Sequence, residues 1–172
     1  VYSLAKTINV RGAYSNTLAR PTLREMSTAS DEVFQGGSYY VGNPDLDRIR
    51  ISNYDLRLEW FERPGEIWAI SGFYKTFRNP IELQFFDNVN YNVTPVNVDK
   101  ATVYGLEIEV RKRLDQSFSF LRNFSAGANL TFVHSEVEIP AAELQLIQYY
   151  DAGAKSTRAM YGQSPFVVNL DF

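Results

Sequence analysis

Three places in this 172-residue chain bring chemically able side chains close together. His134, Ser135 and Glu136 are consecutive and have the residue types of a hydrolase. Glu107 and Glu109 form a carboxylate pair of the kind that serves as acid and base in glycoside cleavage. Tyrosines and asparagines gather between the regular segments: Tyr39, Tyr40, Asn88, Asn90, Tyr91, Asn92, Tyr149 and Tyr150. Such groups can hold a solute by stacking and hydrogen bonding.

Spacing argues against the first two as catalytic sites. Adjacent residues on a strand point to opposite faces, so His134 and Ser135 cannot form a base–nucleophile pair within one strand. His134 is the sole histidine and the chain has no cysteine, too little for a metal site. Glu107 and Glu109 share a face roughly 7 Å apart, judged from strand rise. With Arg111 next in phase, they read as a charged wall. Gly36-Gly37-Ser38 is no phosphate loop, because no Lys-Ser/Thr follows it. No catalytic residue, metal or cofactor is expected, which leaves the tyrosines and asparagines as solute-binding candidates.

The elements that position these residues alternate with period two. In Tyr54-Asp55-Leu56-Arg57-Leu58-Glu59-Trp60 every even residue is apolar and every odd one charged, the pattern of a strand with one oily and one wet face. The same logic predicts strands over Thr7–Thr17, Arg50–Phe61, Glu66–Phe77, Ala101–Lys112, Phe124–Val137 and Gln163–Phe172. In the third of these, Trp68, Ile70, Gly72 and Tyr74 are placed on the oily face, with Ser71 and Lys75 opposite. Gly42-Asn43-Pro44-Asp45 reads as a turn in which Pro44 fixes φ and Gly42 supplies positive φ. Arg63-Pro64-Gly65-Glu66 is a tight reversal. The connections run long, short, long, short, long, and Ala141–Tyr150 within the last has room for a short helix.

Strands of ten residues or more suit a tilted crossing of a bilayer, which takes roughly 9–11 residues; those of soluble sandwiches are nearer 5–6. Aromatic residues make up 15% of the chain, in keeping with girdles at two water–lipid interfaces. An arginine on the lipid side at mid-depth costs roughly 2–4 kcal/mol. Asn53, Asp55, Arg57, Glu59, Glu107, Glu109 and Arg111 are therefore expected to face a watery lumen or whatever fills it. About six such strands cannot close around a wet interior, so the chain reads as part of a larger barrel. The net charge of −3 argues against a nucleic-acid partner.

The ordered motifs carry a family resemblance. Val10-Arg11-Gly12-Ala13-Tyr14-Ser15-Asn16-Thr17-Leu18-Ala19-Arg20-Pro21-Thr22-Leu23-Arg24-Glu25 resembles a barrel strand of TonB-dependent outer-membrane receptors. Gly42-Asn43-Pro44-Asp45-Leu46 followed by Asn53-Tyr54-Asp55-Leu56 and Glu59 is similar to the next segment of that family. Phe73-Tyr74-Lys75 with Asn79-Pro80-Ile81-Glu82, then Val103-Tyr104-Gly105-Leu106-Glu107, then Gly162-Gln163-Ser164-Pro165, follow in the family's order. The style resembles receptors of the Bacteroidetes group.

The resemblance implies an all-β, antiparallel up-and-down transmembrane barrel of about 22 strands. Residues 1–172 would be a late part of its wall, with three long extracellular loops and short periplasmic turns. Plug domain, TonB box, signal peptide and final strand would lie outside these residues. It further implies TonB-energised import of a scarce solute (siderophore or other metal chelate, oligosaccharide or peptide) across the bacterial outer membrane. The partners it implies are outer-membrane lipid and lipopolysaccharide, the chain's own plug, the TonB complex and the solute, with a surface lipoprotein among the candidates. A passive porin, a barrel hydrolase and a soluble sandwich adhesin stand as alternatives.

Overall fold

A computed structural model describes residues 1–32, 39–85, 92–114 and 123–172, with the side chain of Ala142 left aside. The wall is a meander of long strands: β1 (Tyr2–Ala5), β2 (Ile8–Ala19), β5 (Ile49–Trp60), β6 (Ile67–Arg78), β9 (Lys100–Arg113), β10 (Ser125–Glu138) and β12 (Phe166–Asp171). Each pairs antiparallel with the next in this order. A two-residue strand, β11 (Thr157–Arg158), also pairs with the upper end of β10. The six predicted strands are all present, with ends shifted by one to three residues. Among the described residues no helix is long and apolar enough to cross a membrane, which leaves crossing by strands untouched.

Register follows from the two-faced pattern, because a one-residue slip would exchange the faces. It lines up whole rows across the wall. Tyr14, Tyr54, Tyr74, Tyr104 and His134 stand opposite one another on consecutive strands. The rings of Tyr14 and Tyr54 are 5.0 Å apart, and those of Tyr104 and His134 likewise 5.0 Å. Six residues lower, about 20 Å along the strand, lies the row Ile8–Trp60–Trp68–Val110–Ala128–Leu170. Between them run Gly12–Leu56–Gly72–Leu106–Phe132 and Val10–Leu58–Ile70–Ile108–Leu130–Val168. This face is apolar yet open: Leu56 is 62% exposed and Ile70 44%. An apolar band between a row of tyrosines and a row carrying two tryptophans suits lipid contact.

The short-turn end is tied at Arg63–Glu66. Gly65 takes φ of +85°, as the third position of a type II turn demands. The buried Glu66 carboxylate accepts from Arg63 Nη2 at 2.7 Å and from the Arg113 backbone N–H at 3.2 Å. Beside it Lys112 Nζ sits 2.6 Å from Glu62, which also accepts from the Trp68 indole N–H at 3.2 Å. The Lys112 ammonium and then the indole hold the Glu62 carboxyl below its usual range. An indole with its ring in the apolar band and its N–H on a carboxylate is a typical interfacial anchor.

At the opposite end the long loops have more structure than their composition suggests. A second, four-stranded sheet runs β3 (Ser30–Glu32), β4 (Tyr39–Val41), β8 (Val93–Asn97), β7 (Ile81–Phe85). Its single parallel pairing joins β4 of the first loop to β8 of the second. Pro80, Pro95 and the surrounding asparagines mask the short alternation of Ile81, Leu83 and Phe85 in the sequence. Helix α1 (Leu23–Met26) opens with a capping box between Thr22 and Glu25. Helix α2 (Ala141–Tyr150) occupies the position expected for it.

Gly42 departs from its expected role. The described residues with positive φ are Asn79, Gly65 and Gly162. Gly42 is needed instead for close approach to α1. A Cβ there would fall 2.8 Å from Arg24 O and 2.9 Å from Glu25 O, and closer still to Ser27 O. The next residue, Asn43, donates its N–H to Glu25 O at 2.6 Å.

Candidate functional site

Two charged surfaces lie off the apolar face. The first is the opposite face of the wall. Asn53, Asp55, Arg57 and Glu59 alternate with the oily residues of β5, and Glu107, Glu109 and Arg111 with those of β9. Cross-strand register brings Asn9, Glu59, Ala69, Glu109 and Asn129 into one row, and Arg11, Arg57, Ser71, Glu107 and Thr131 into the row above.

Ion pairs and hydrogen bonds tie the charged residues of these rows together. Glu59, 5% exposed, accepts from Arg11 Nε at 2.8 Å and from Arg57 Nε at 2.9 Å. Arg57 also donates to Ser71 Oγ at 3.0 Å and to Glu109 at 2.6 Å. Arg111 lies 3.9 Å from Glu109. Glu107 accepts from Asn129 Nδ2, and Asn129 in turn accepts from Thr131 Oγ1 at 3.1 Å. Glu107 and Glu109 thus have separate partners, and neither stands free as an acid or base. Asn53 bonds Thr17 and Ser15 on β2.

The second surface is the loop assembly. Glu82 of β7, 4% exposed, is held by Arg158 Nη1 at 2.8 Å and by the Tyr161 backbone N–H at 3.3 Å. This bond spans a sequence separation of 76 and docks the third long loop onto the second. Asn97 joins the first loop to the second: its Oδ1 accepts the Asp47 N–H at 2.7 Å and its Nδ2 donates to Asp47 O at 3.1 Å. Where the three loops meet, a cavity of about 390 Å³ is lined by Arg24, Glu25, Tyr40, Glu82, Met160 and Tyr161, among others. Arg24 lies over the Tyr40 ring, 4.6 Å from its centre. Burial, with Glu25 close by, raises the Tyr40 phenol above its usual range.

The predicted solute-binding residues fall in different settings. Tyr40 is buried under Arg24 and braces the loops. Tyr39 is exposed, with its N–H on Asn92 Oδ1 at 2.9 Å. Tyr149 and Tyr150 are more than four-fifths exposed on α2 and contact each other edge to face at 5.1 Å. Asn88, Asn90 and Tyr91 lie outside the described residues. His134 and Ser135 sit on opposite faces, with Ser135 Oγ accepting the Met160 N–H at 3.1 Å. Among the described residues no cluster of three potential metal ligands exists.

Sequence reading passed over Arg24, Glu82 and Arg158. The Thr22-x-x-Glu25 capping signal could have located the turn that presents Arg24. Nothing local marks a pair as distant as Glu82 and Arg158.

The comparisons agree with this geometry. The family model described as "TonB dependent receptor-like, beta-barrel" matches residues 1–171. The iron-regulated outer membrane virulence protein of Vibrio cholerae serotype O1 is 27% identical over 146 residues, covering 79% of this chain and 21% of that protein. Its counterpart in a second strain is 26% identical over the same length. The chain thus spans about a fifth of these relatives. Among solved structures, the siderophore receptor PirA of Pseudomonas aeruginosa superposes with a TM-score of 0.56 at 23% identity, over 78% of this chain and 24% of that one. A mutant of the ferric enterobactin receptor PfeA of the same species, in complex with enterobactin, gives 0.53 at 19%, over 77% and 21%. At these identities the structures speak for the fold.

Proposed function

The chain belongs to the TonB-dependent receptor β-barrel family, whose members are outer-membrane receptors and not enzymes, and on that footing we propose that it is the loop-bearing wall of an importer for a ferric siderophore or similar metal chelate. The observation that carries the reading is the loop assembly. Three long loops at one end are knit by Glu82–Arg158 and by Asp47–Asn97 around a cavity holding Arg24, Glu25 and Glu82. A fixed, charged concavity at the outer mouth suits first capture of a polar solute. The names of the Vibrio and Pseudomonas proteins favour iron chelates over oligosaccharides or peptides.

In this reading Asn53, Asp55, Arg57, Glu59, Glu107, Glu109 and Arg111 line the lumen and meet the plug domain or water. Tyr39, Tyr149 and Tyr150 contact solute from the loops, and Asn90 and Tyr91 are further candidates by residue type. Energy comes from the inner-membrane TonB complex acting through the plug, and the outer face meets outer-membrane lipid. A surface lipoprotein could cap the loops by the same exposed tyrosines.

Uptake of radiolabelled ferric siderophore by cells with and without the full gene tests the proposal, with a protonophore as a second arm. Gene-dependent uptake that collapses with the proton gradient is expected. Gene-dependent uptake indifferent to the protonophore would make the barrel a passive porin. Growth on a glycan but not on ferric siderophore would move the substrate class.

A further inference from the structure

We propose that Tyr161 is a gate between two chambers for solute: the loop cavity above it, and a pocket around Lys75 on the charged face of the wall below. This rests on the import reading and adds to it a second holding site and the residue that controls access.

The partition is built from a break in one edge of the wall. β11 and β12 run along the same side of β10, β11 beside Val137 and Glu138, β12 beside Gly127 to Phe132. Between them residues 159–165 leave that line. They turn back at Met160–Gln163, where the Gln163 N–H reaches Met160 O at 3.3 Å and Gly162 takes φ of +72°. A positive φ at the third position is the mark of a type II turn. Three ties fix the turn over the charged face. Met160 donates its N–H to Ser135 Oγ at 3.1 Å and packs against Val98, Ala101 and Val137. Tyr161 donates its N–H to the buried Glu82 at 3.3 Å. The Val133 N–H goes to Pro165 O at 2.9 Å. The base is held, yet the Tyr161 side chain is 75% exposed and its hydroxyl has no partner among the described residues.

The two chambers meet at this turn. The loop cavity of about 390 Å³ and a pocket of about 360 Å³ share Met160 and Tyr161 and no other described residue. The wall of the pocket is Phe73, Lys75, Phe77, Val103 and Val133. All five alternate with the outward residues of β6, β9 and β10, so they stand on the charged face, above the row of Arg57, Ser71 and Glu107. Both volumes lie in the range of ligand pockets.

Lys75 sets what the pocket takes. Arg11 and Arg57, lower on the same face, are paired with Glu59. Lys75 makes no ion pair among the described residues. Its ammonium lies 5.9 Å from the centre of the Phe73 ring. A half-buried cation among apolar side chains favours an anionic group beside it. The pocket therefore receives a carboxylate or phenolate arm of the solute. Solute in the loop cavity touches Tyr161 from above, and solute on Lys75 touches it from below. A rotamer change of one exposed ring, on a turn that stays in place, opens the way between them.

The test reads Lys75 itself, in the full-length protein on intact cells, and needs no solute. Two anionic amine-acylating reagents, one small and one bulky, are added outside. Acylation at Lys75 and at the exposed Lys155 is followed by peptide mass spectrometry. In wild type the bulky reagent should lag the small one at Lys75 and not at Lys155. A closed gate leaves the open form a minor state of about 0.1–10%, so Tyr161→Ala should speed bulky acylation of Lys75 about tenfold or more. Tyr161→Phe keeps the ring and should restore protection. Lys155 should react alike in all three proteins, which reports that the third loop stays folded. Bulky and small reagents keeping pace at Lys75 in wild type overturns the proposal without any variant. So does an unchanged rate in Tyr161→Ala. A second arm compares uptake of a strongly anionic ferric tris-catecholate with that of an uncharged ferric tris-hydroxamate. Lys75→Gln should cut uptake of the first far more than of the second. Equal effects on both, or import of the uncharged chelate alone, overturns the anion pocket. Import of neither chelate by wild type counts against the import reading and leaves the acylation result standing.

Discussion

Arg57 on β5 reaches past β6 to Glu109 on β9, Nη2 to Oε2 at 2.6 Å. The bond joins strands that are not neighbours, so it is independent of the ladder hydrogen bonds that hold each adjacent pair. Ser71 of the intervening strand accepts from Nη1 of the same guanidinium, and Nε goes to Glu59. One arginine therefore fixes the lateral spacing of three strands on the charged face. Its planar fork makes this possible where a lysine ammonium would serve fewer partners.

Arg57→Met should leave the buried Glu59 with Arg11 alone and Glu109 with the distant Arg111. A hydrogen bond to a charged group is worth about 1.5–3 kcal/mol; with the Arg57 side chain a quarter exposed, the loss should fall toward the lower end of that range. The thermal transition of the full-length protein, followed by heat-modifiable migration, should drop accordingly. Glu109→Gln should cost markedly less in the Arg57→Met background than in wild type. Strict additivity would mean the two residues are not coupled.

The rows of the outer face set a depth scale. Ile108 lies in the middle of the apolar band and Tyr104 at its loop-side edge. Ile108→Arg should destabilise the folded barrel by roughly 2–4 kcal/mol and Tyr104→Arg by about 0–1. Refolding yields into lipid vesicles across a urea series would measure both. Equal costs would mean that the tyrosine row does not mark an interface.

Strand existence, facing and connection order were legible because a membrane wall repeats one strong rule. Leu56, Arg57 and Leu58 must alternate at every position or lipid meets charge. The tertiary features were not legible. The Phe73 ring lies on the charged face and covers Gly105, where its Cζ would be 2.5 Å from an added Cβ; the sequence shows only an apolar residue out of phase. The loops were harder still. Their second sheet has strands of three to five residues, too short for periodicity to show. Its parallel β4–β8 contact depends on chain brought in from another loop.

Gly42 makes that loop packing testable. Its hydrogen atoms lie against three carbonyls of the α1 turn, and backbone cannot step aside as a side-chain tip can. Gly42→Ala should push α1 away from the turn that follows β4, raising protease cleavage within residues 20–48 while the wall keeps its thermal transition. Unchanged cleavage would show that the turn absorbs a methyl group.

Glu143 in α2 gives the third loop a pH dependence. One carboxylate oxygen, Oε2, is buried without a hydrogen bond. Burial raises its pKa, and Glu82 adds to the rise, while Arg158 opposes it. A folded-state pKa above the unfolded one means that docking is favoured fully below the usual glutamate range, near 4.3. That contribution is lost as pH climbs through the raised value. Above that value the ionised, buried carboxylate works against the docking of the third loop. Amide exchange protection of Ala141–Tyr150, corrected for the intrinsic rate at each pH, should be higher in mild acid than at pH 8. Glu143→Gln cannot ionise, so it should hold the acid-like protection across the range. Stronger protection at pH 8 in wild type would reverse the sign and place an unrecognised cation beside Glu143.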